Sequence, residues 1–319
     1  MVKVAVAGGT GGLGRTIVEA LINSDHETIV LTQEHNIHHT TIAGATLVAI
    51  DYTNVEAMVR TLSNYQIHTV ISSIAIKGLE QSKAQISLIH AAEAAPSVKR
   101  FTPSEFGTPR LEASTKEGAA VPTSYKDTAI AELEKSRLEY TLFSHGVFMD
   151  YYGMPKFQSY LTPWVFAIDI AHKVAGIPGS GNVSAVYTYS GDVAKFVVAA
   201  IGLPDGTWHK HSTMIGDRRT LNEVLGTVES VRGSFKVQYD SMQKLQQGQI
   251  TELPSHVRLY SQTAKESLQQ RFAGFGIEME AGAFDFSVPE NGVLLNDLFP
   301  DIIVKSVEDI ITEGWAETA

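Results

Sequence analysis

The chain begins Val2-Lys3-Val4-Ala5-Val6-Ala7-Gly8-Gly9-Thr10-Gly11-Gly12-Leu13-Gly14, an apolar, β-branched run that breaks into glycines. Apolar residues then resume at helical spacing, with Leu13, Ile17, Val18, Leu21 and Ile22 on one face. The stretch reads as a strand, a tight turn and a helix start. Glycines let the backbone turn sharply and come close to a pyrophosphate, which then meets the free N–H groups and positive dipole end of the helix. Gly9, Gly11 and Gly14 fit the G-x-G-x-x-G spacing, and Gly8, Gly11 and Gly14 fit the looser G-x-x-G-x-x-G. The spacing alone is a weak signal; this stretch constrains the fold because the strand, the helix and the N-terminal position are all as a dinucleotide-binding turn requires. Gly8, Gly9, Thr10, Gly11, Gly12 and Leu13 are therefore candidate cofactor contacts.

The pattern then alternates. Strands are expected over 28–31, 45–51, 69–73, 98–101 and 140–144, with helices between them. One of these helices, over 79–95, carries Leu79, Ile86 and Ile89 at helical spacing. Regular alternation predicts a parallel sheet covered on both faces, joined by right-handed crossovers. The expected fold is α/β: a doubly wound Rossmann-type parallel sheet over residues 1–150, with a smaller α+β substrate domain over 151–319 that is free to return in part to the sheet. The second region opens with an aromatic-rich passage, Tyr151, Tyr152, Phe157, Tyr160, Trp164 and Phe166, suited to walling an apolar pocket. Residues 176–181 read as a turn cluster, and Thr220 and Glu223 stand at capping-box spacing before a helix.

Open parallel sheets place ligands at the carboxyl ends of their strands. Ser72 and Ser73 end the fourth strand, Ser104-Glu105-Phe106-Gly107 follows the fifth, and His145-Gly146-Val147-Phe148 follows the strand over 140–144. The end of the second strand selects the ribose: an acidic group binds a free 2′-OH, and an Arg or Lys receives a 2′-phosphate. Here the chain reads Thr32-Gln33-Glu34-His35, and no Arg or Lys occurs between Arg15 and Arg60. Gln33 and Glu34 are thus the candidate ribose contacts, and NAD(H) stands open beside NADP(H).

The bulk composition narrows the partners. A 319-residue chain that is 44% hydrophobic and 19% charged can bury a sizeable core. Its net charge of -10, with acidic residues spread along the chain, argues against nucleic acid as a main partner. No apolar stretch reaches membrane-spanning length, and the first residues lack the regions of a signal peptide. The absence of cysteine removes thiolate chemistry and Cys-based metal sites. His35, His38, His39, His209 and His211 lack a metal-binding frame, so no metal is expected. The expected partner is a small-molecule substrate, the expected state a monomer or homodimer, and the expected location cytoplasmic.

The Gly-Gly-Thr-Gly-Gly-Leu-Gly start, Val70-Ile71-Ser72-Ser73, Lys99-Arg100-Phe101-Thr102-Pro103-Ser104-Glu105-Phe106-Gly107, and Tyr140-Thr141 followed by Phe148 resemble the isoflavone reductase-like group of the NmrA-like family of atypical short-chain dehydrogenases. Asp192-Val193-Ala194 and Thr220-Leu221-Asn222-Glu223-Val224 extend the resemblance into the second region. It implies an NAD(P)H-dependent reductase of a small carbonyl or conjugated, aromatic or polyketide-like metabolite, with NADPH as the family's cofactor. The family's lysine corresponds to Lys126, which would position cofactor and act as proton donor or polarising group while nicotinamide supplies hydride. The plain alternative is a surface lysine at a helix start, a place the dipole mildly disfavours. His145 is a second acid–base candidate, Ser104 a cofactor contact, and Glu105, Phe106, Gly146, Phe148 and Tyr152 the expected substrate wall.

The chain departs from the family pattern at three places. Gln33 replaces an Arg, Gly146 replaces an Asn, and neither Tyr125 nor any nearby Tyr makes a Tyr-x-x-x-Lys pair with Lys126. Two further functions follow from the same resemblance: a dinucleotide-sensing regulator without turnover, and a redox-neutral isomerase or lyase on the same fold.

Overall fold

The alternating pattern folds into a six-stranded parallel sheet. It is built from β1 (Lys3–Ala7), β2 (Glu27–Thr32), β3 (Thr46–Ala49), β4 (Thr69–Ser72), β5 (Arg100–Thr102) and β6 (Glu139–Tyr140), in the order β3-β2-β1-β4-β5-β6. The computed structural model describes residues 1–33, 41–109 and 123–316, with the backbone alone at 123 and 124. β1 pairs in register with β2 on one side (Ala5 with Ile29) and with β4 on the other (Ala5 with Val70). The order therefore reverses between β1 and β4, the switch point at which a doubly wound sheet opens a crevice. Helices α1 (Gly12–Ile22), α2 (Val55–Asn64), α3 (Leu79–Ala94) and α4 (Thr123–Lys135) are the crossovers.

Alternation along the buried strands sends side chains to two cores. Ala5, Ala7, Val70 and Phe101 face α2, α3 and α4, with Met58, Leu88 and Leu133 among their partners. Val4, Val6 and Ile71 face Ile17, Val18 and Leu21 of α1 on the other side. The same core holds Val193, Phe196 and Val197 of a helix that lies far along the chain, α6 (Ser190–Ile201), with the single-turn α5 (Asp150–Gly153) before it.

After Thr141 the chain continues as β7 (Leu142–Ser144), and that strand pairs away from β5. Its partner is β12 (His211–Thr213), which in turn pairs with β15 (Gly292–Leu294), all parallel. Between them run β8 (Val147–Phe148), β9 (Ile168–Asp169), β10 (Val174–Pro178) and β11 (Ser184–Thr188), and then β13 (Asp217–Thr220), α7 (Leu221–Arg232) and β14 (Lys236–Asp240). They form two small sheets, β14-β10-β9 and β13-β11-β8, around a separate core that includes Ile177, Tyr187, Val224, Val228 and Trp315. Thr220 and Glu223 close the capping box that their spacing implies.

Two local expectations differ from the structure. The turn cluster over 176–181 is a strand as far as Pro178, because Gly176 and Ile177 pair with Gln238 and Tyr239 of β14; the turn begins only at Gly179. In α3 the buried face is not the Leu79 face. Leu79 is 50% exposed, and Ser82, Gln85, Leu88, Ile89 and Ala92 point inward. Tertiary contacts to two polar residues, described below, set that face.

Candidate active site

Because the strands are parallel, β1, β4, β5 and β7 all end on one edge, at Ala7, Ser72, Thr102 and Ser144. The glycine loop leaves β1 there and enters α1 at Gly12. A Cβ on Gly14 would run into Gly8 O and Ser73 Oγ, so only glycine lets α1 settle this close to the ends of β1 and β4. The Ser73 N–H and hydroxyl both donate to Ala7 O at 2.8 Å, locking β4 to β1 beneath the loop. Gly11 and Gly12 are different, since a Cβ on either would meet nothing within 4 Å. α1 has no side-chain cap and no acidic residue in its first turn, which leaves its leading N–H groups and positive dipole end facing that open space. The arrangement suits an anion, and a dinucleotide pyrophosphate fits it. Gln33 is exposed at the end of β2. Glu34, His35, His38 and His39 lie outside the described residues. Among the described residues no three His, Asp or Glu side chains gather as a metal site, and no helix is long and apolar enough to cross a membrane.

Past β5 and β7, three titratable groups converge. Lys126 stands in the first turn of α4 with its Nζ 3.7 Å from Glu105 Oε2. Glu105 is only 6% exposed. His145, 1% exposed, has no hydrogen-bond partner for either ring nitrogen among the described residues. Burial, reinforced by the Lys126 charge, pushes its imidazole down to about 3, so at neutral pH the ring is neutral. It can donate or accept a hydrogen bond there, but it does not carry an imidazolium proton. The backbone around it is tightly held: Gly107 O accepts from the N–H groups of His145 and Gly146 at 2.8 and 2.9 Å, and Thr188 Oγ1 donates to His145 O at 2.7 Å. Gly146 has φ +77°, and a Cβ there would collide with Val186 O. That close approach explains why no Asn occupies the position.

The His145 ring lies 4.2 Å from the Phe148 ring and 6.5 Å from Phe106, which stacks on Phe143 at 5.9 Å. Phe148 leads into an aromatic cavity lined also by Tyr151, Tyr152, Trp164, Phe166 and Phe275. Among the described residues no charged side chain lines it, and burial raises the Tyr151 and Tyr152 hydroxyls to about 12, so both stay neutral. The free volume is about 20 Å³, enough for one water. Trp164 packs against the rings of Phe275, Tyr151 and Phe166 at 5.0 to 5.6 Å. Not all of the aromatic passage is here. Phe157 packs on Tyr189 in the separate core around Tyr187 and Trp315, and Tyr160 sits on the surface, its hydroxyl donating to Glu19 of α1.

Two residues of the site stand outside the sequence reading. Gln85 Oε1 accepts from the Ser104 N–H at 2.8 Å, and Ser82 Oγ donates to Tyr125 O at 3.2 Å. α3 thereby holds both the loop that carries Glu105 and the helix start that carries Lys126. Their only mark in the sequence is a polar pair at i, i+3 on the helical stripe that continues into Leu88, Ile89 and Ala92.

Comparison with known proteins places this geometry. The oxidoreductase BOA1 of Botryotinia fuckeliana is 37% identical over 305 residues, 95% of this chain and 96% of the relative. The phenylcoumaran benzylic ether reductase TP7 of Nicotiana tabacum is 28% identical, with 97% of each chain covered. The binary complex of leucoanthocyanidin reductase with NADPH from Vitis vinifera superposes with a TM-score of 0.72 at 22% identity, covering 98% of each chain, and so shares the fold. The profile of the NmrA-like family matches residues 2–284, and with that match and the BOA1 relative the chain belongs to the NmrA-like family.

Proposed function

We propose that the chain is an NAD(P)H-dependent reductase of a small carbonyl or conjugated, aromatic or polyketide-like metabolite. The observation that carries this reading is the position of Lys126: its charge acts on the buried, neutral His145, whose ring lies 4.2 Å from Phe148 at the aromatic cavity. The relatives named as oxidoreductases and reductases support the reaction class. The NADPH complex of the leucoanthocyanidin reductase supports NADP(H), and the exposed Gln33, in place of an Arg, keeps NAD(H) as the other choice.

The residues present divide the work by position. Gly9 to Leu13 and the leading N–H groups of α1 would hold the pyrophosphate, with Ser72, Ser73 and Ser104 along the strand ends. When bound, the nicotinamide supplies a hydride. Lys126 donates a hydrogen bond to the substrate oxygen and then its proton as negative charge develops there. His145, being neutral, offers a hydrogen bond without competing as a cation. Phe148, Tyr152 and the rings behind them hold the apolar body of the substrate and exclude water, which strengthens the Lys126 interaction.

Titration with NADPH and NADH, followed by the fluorescence of the three tryptophans, is expected to show micromolar binding of at least one. Binding of neither sinks the reductase reading and leaves the redox-neutral one. Lys126→Ala is expected to lower turnover of an identified substrate by about a hundredfold or more, with cofactor binding retained; intact turnover would show that the proton comes from elsewhere.

A further inference from the structure

We infer that the chain carries a second ligand site, apart from the candidate active site: a polar cleft on the β10–β14 sheet that binds the oxyanion group, carboxylate or phosphate, of a small organic molecule. The cleft has a volume of about 320 Å³, between Val174 of β10, Lys236 and Gln238 of β14, and Lys244, Ile250 and Thr251. That is the lower end of the range for small-molecule pockets, about 300–1,000 Å³. None of its lining residues lines the aromatic cavity.

The cleft is built on a buried carboxylate. Strand alternation puts Lys236, Gln238 and Asp240 on one face of β14, in register with Val174, Gly176 and Pro178 of β10. A Cβ on Gly176 would press on the Thr251 side chain, so glycine lets the segment over 250–252 settle against β10. Asp240, 1% exposed, accepts at 2.6 Å from the Thr251 N–H, the Thr251 hydroxyl and Lys244 Nζ. Lys244 belongs to the short helix α8 (Met242–Gln246) and donates also to Thr251 Oγ1 at 3.1 Å. Charge-assisted bonds to a buried anchor hold this ammonium in place, which an unanchored surface lysine lacks.

The charge balance then sets the ligand. Both carboxylates at the cleft are paired, Asp240 with Lys244, and Glu252 with Lys265 and the Tyr260 hydroxyl. Lys236 is exposed and makes no ion pair among the described residues, so the charge left uncompensated is its own. Lys244 gives two of its three N–H groups to Asp240 and Thr251, and the Gln238 amide nitrogen adds further donors. In a chain of net charge -10, a cleft with surplus donors and a surplus positive charge selects an anion. Val174 and Ile250 leave apolar wall for a short hydrocarbon body beside it. Ile250 also belongs to a small core with Leu245, Leu268 and Phe272, on which Trp164 and Phe166 of the aromatic cavity pack. The cleft thus stands one packed layer behind that cavity.

The test reads the cleft through its own methyl groups. Methyl NMR spectra of the full chain are followed during titration with inorganic phosphate, with succinate and with neutral succinamide. The Val174 and Ile250 signals are expected to shift saturably, in the millimolar range, with succinate or phosphate and not with succinamide. A response to phosphate alone identifies a phosphate ester as the ligand class, and a response to succinate alone a carboxylic acid. Ile17 and Val18 of α1 report binding at the glycine loop separately, and shifts confined to them overturn the inference. Lys236→Gln, a change at an exposed side chain, is expected to weaken binding about tenfold or more, as the loss of one charge-assisted hydrogen bond does. Unchanged affinity in that variant, equal shifts with succinamide, or still Val174 and Ile250 signals with both anions would overturn the site.

Discussion

At the scale of the residue, enclosure decides what His145 can do. Its ring is packed between Phe106 and Phe148, and its pKa falls from 6.5 to about 3, chiefly through burial and then through the nearby Lys126 charge. The folded chain therefore refuses a proton that the unfolded chain accepts below pH 6.5. Stability from this residue is complete above that pH and is lost as the pH falls from there toward about 3, at about 1.4 kcal/mol per pH unit. Urea denaturation of wild type and His145→Gln at neutral pH and near pH 5 is expected to show a wild-type loss about 2 kcal/mol larger than the loss in the variant. Equal losses would mean that the ring is protonated in the folded protein. The sequence places this histidine at a strand end, but its charge state follows from rings and a lysine brought in from elsewhere.

At the scale of the element, α3 is a crossover helix whose inward face is part hydrocarbon and part scaffold. Leu88, Ile89 and Ala92 bury apolar surface against the sheet, while Ser82 and Gln85 spend the same face on backbone groups of the site. Gln85→Ala would leave the Ser104 N–H without its acceptor. The expected cost is about 1–3 kcal/mol in urea denaturation, with Ser82→Ala costing about 1 kcal/mol or less. A change below about 0.3 kcal/mol for Gln85→Ala would show that the Ser-Glu-Phe-Gly loop holds itself. An apolar count along the helix selects Leu79, Ile86 and Ile89, of which only Ile89 is buried, and misses Ser82 and Gln85, because hydrophobic periodicity cannot register a buried polar residue whose partner lies in another segment.

At the scale of the whole molecule, the two regions share structure. The sheet edge at β7 is covered by β12 and β15, and the α1 face of the sheet is covered by α6, all from beyond residue 150. A fragment of residues 1–150 would expose Ile17, Val18, Leu21 and Phe143 together with an unpaired strand edge. The fragment is expected to show no cooperative thermal transition, whereas the full chain shows one; a sharp transition in the fragment would establish an autonomous first domain. Arg100 adds to this sharing. Wholly buried on β5, it pairs with Glu139 at 2.7 Å and donates to the carbonyls of Ile201, Leu203 and Pro204 at and beyond the end of α6.

What the sequence determined by itself is what short-range geometry encodes. Glycine spacing at a strand-to-helix turn, alternation of strand and helix, and the Pro-Ser-Glu-Phe-Gly loop were legible because each is a property of neighbouring residues, and together they specify the sheet and the edge on which a ligand must lie. Tertiary structure alone decided that Glu105 meets Lys126, that His145 is neutral, that Gly146 can bear no side chain beside Val186, that Phe275 completes a cavity begun by Tyr151 and Trp164, and that α3 holds the loop. Each of these depends on desolvation or close contact between distant segments, and those quantities do not exist until the chain has packed.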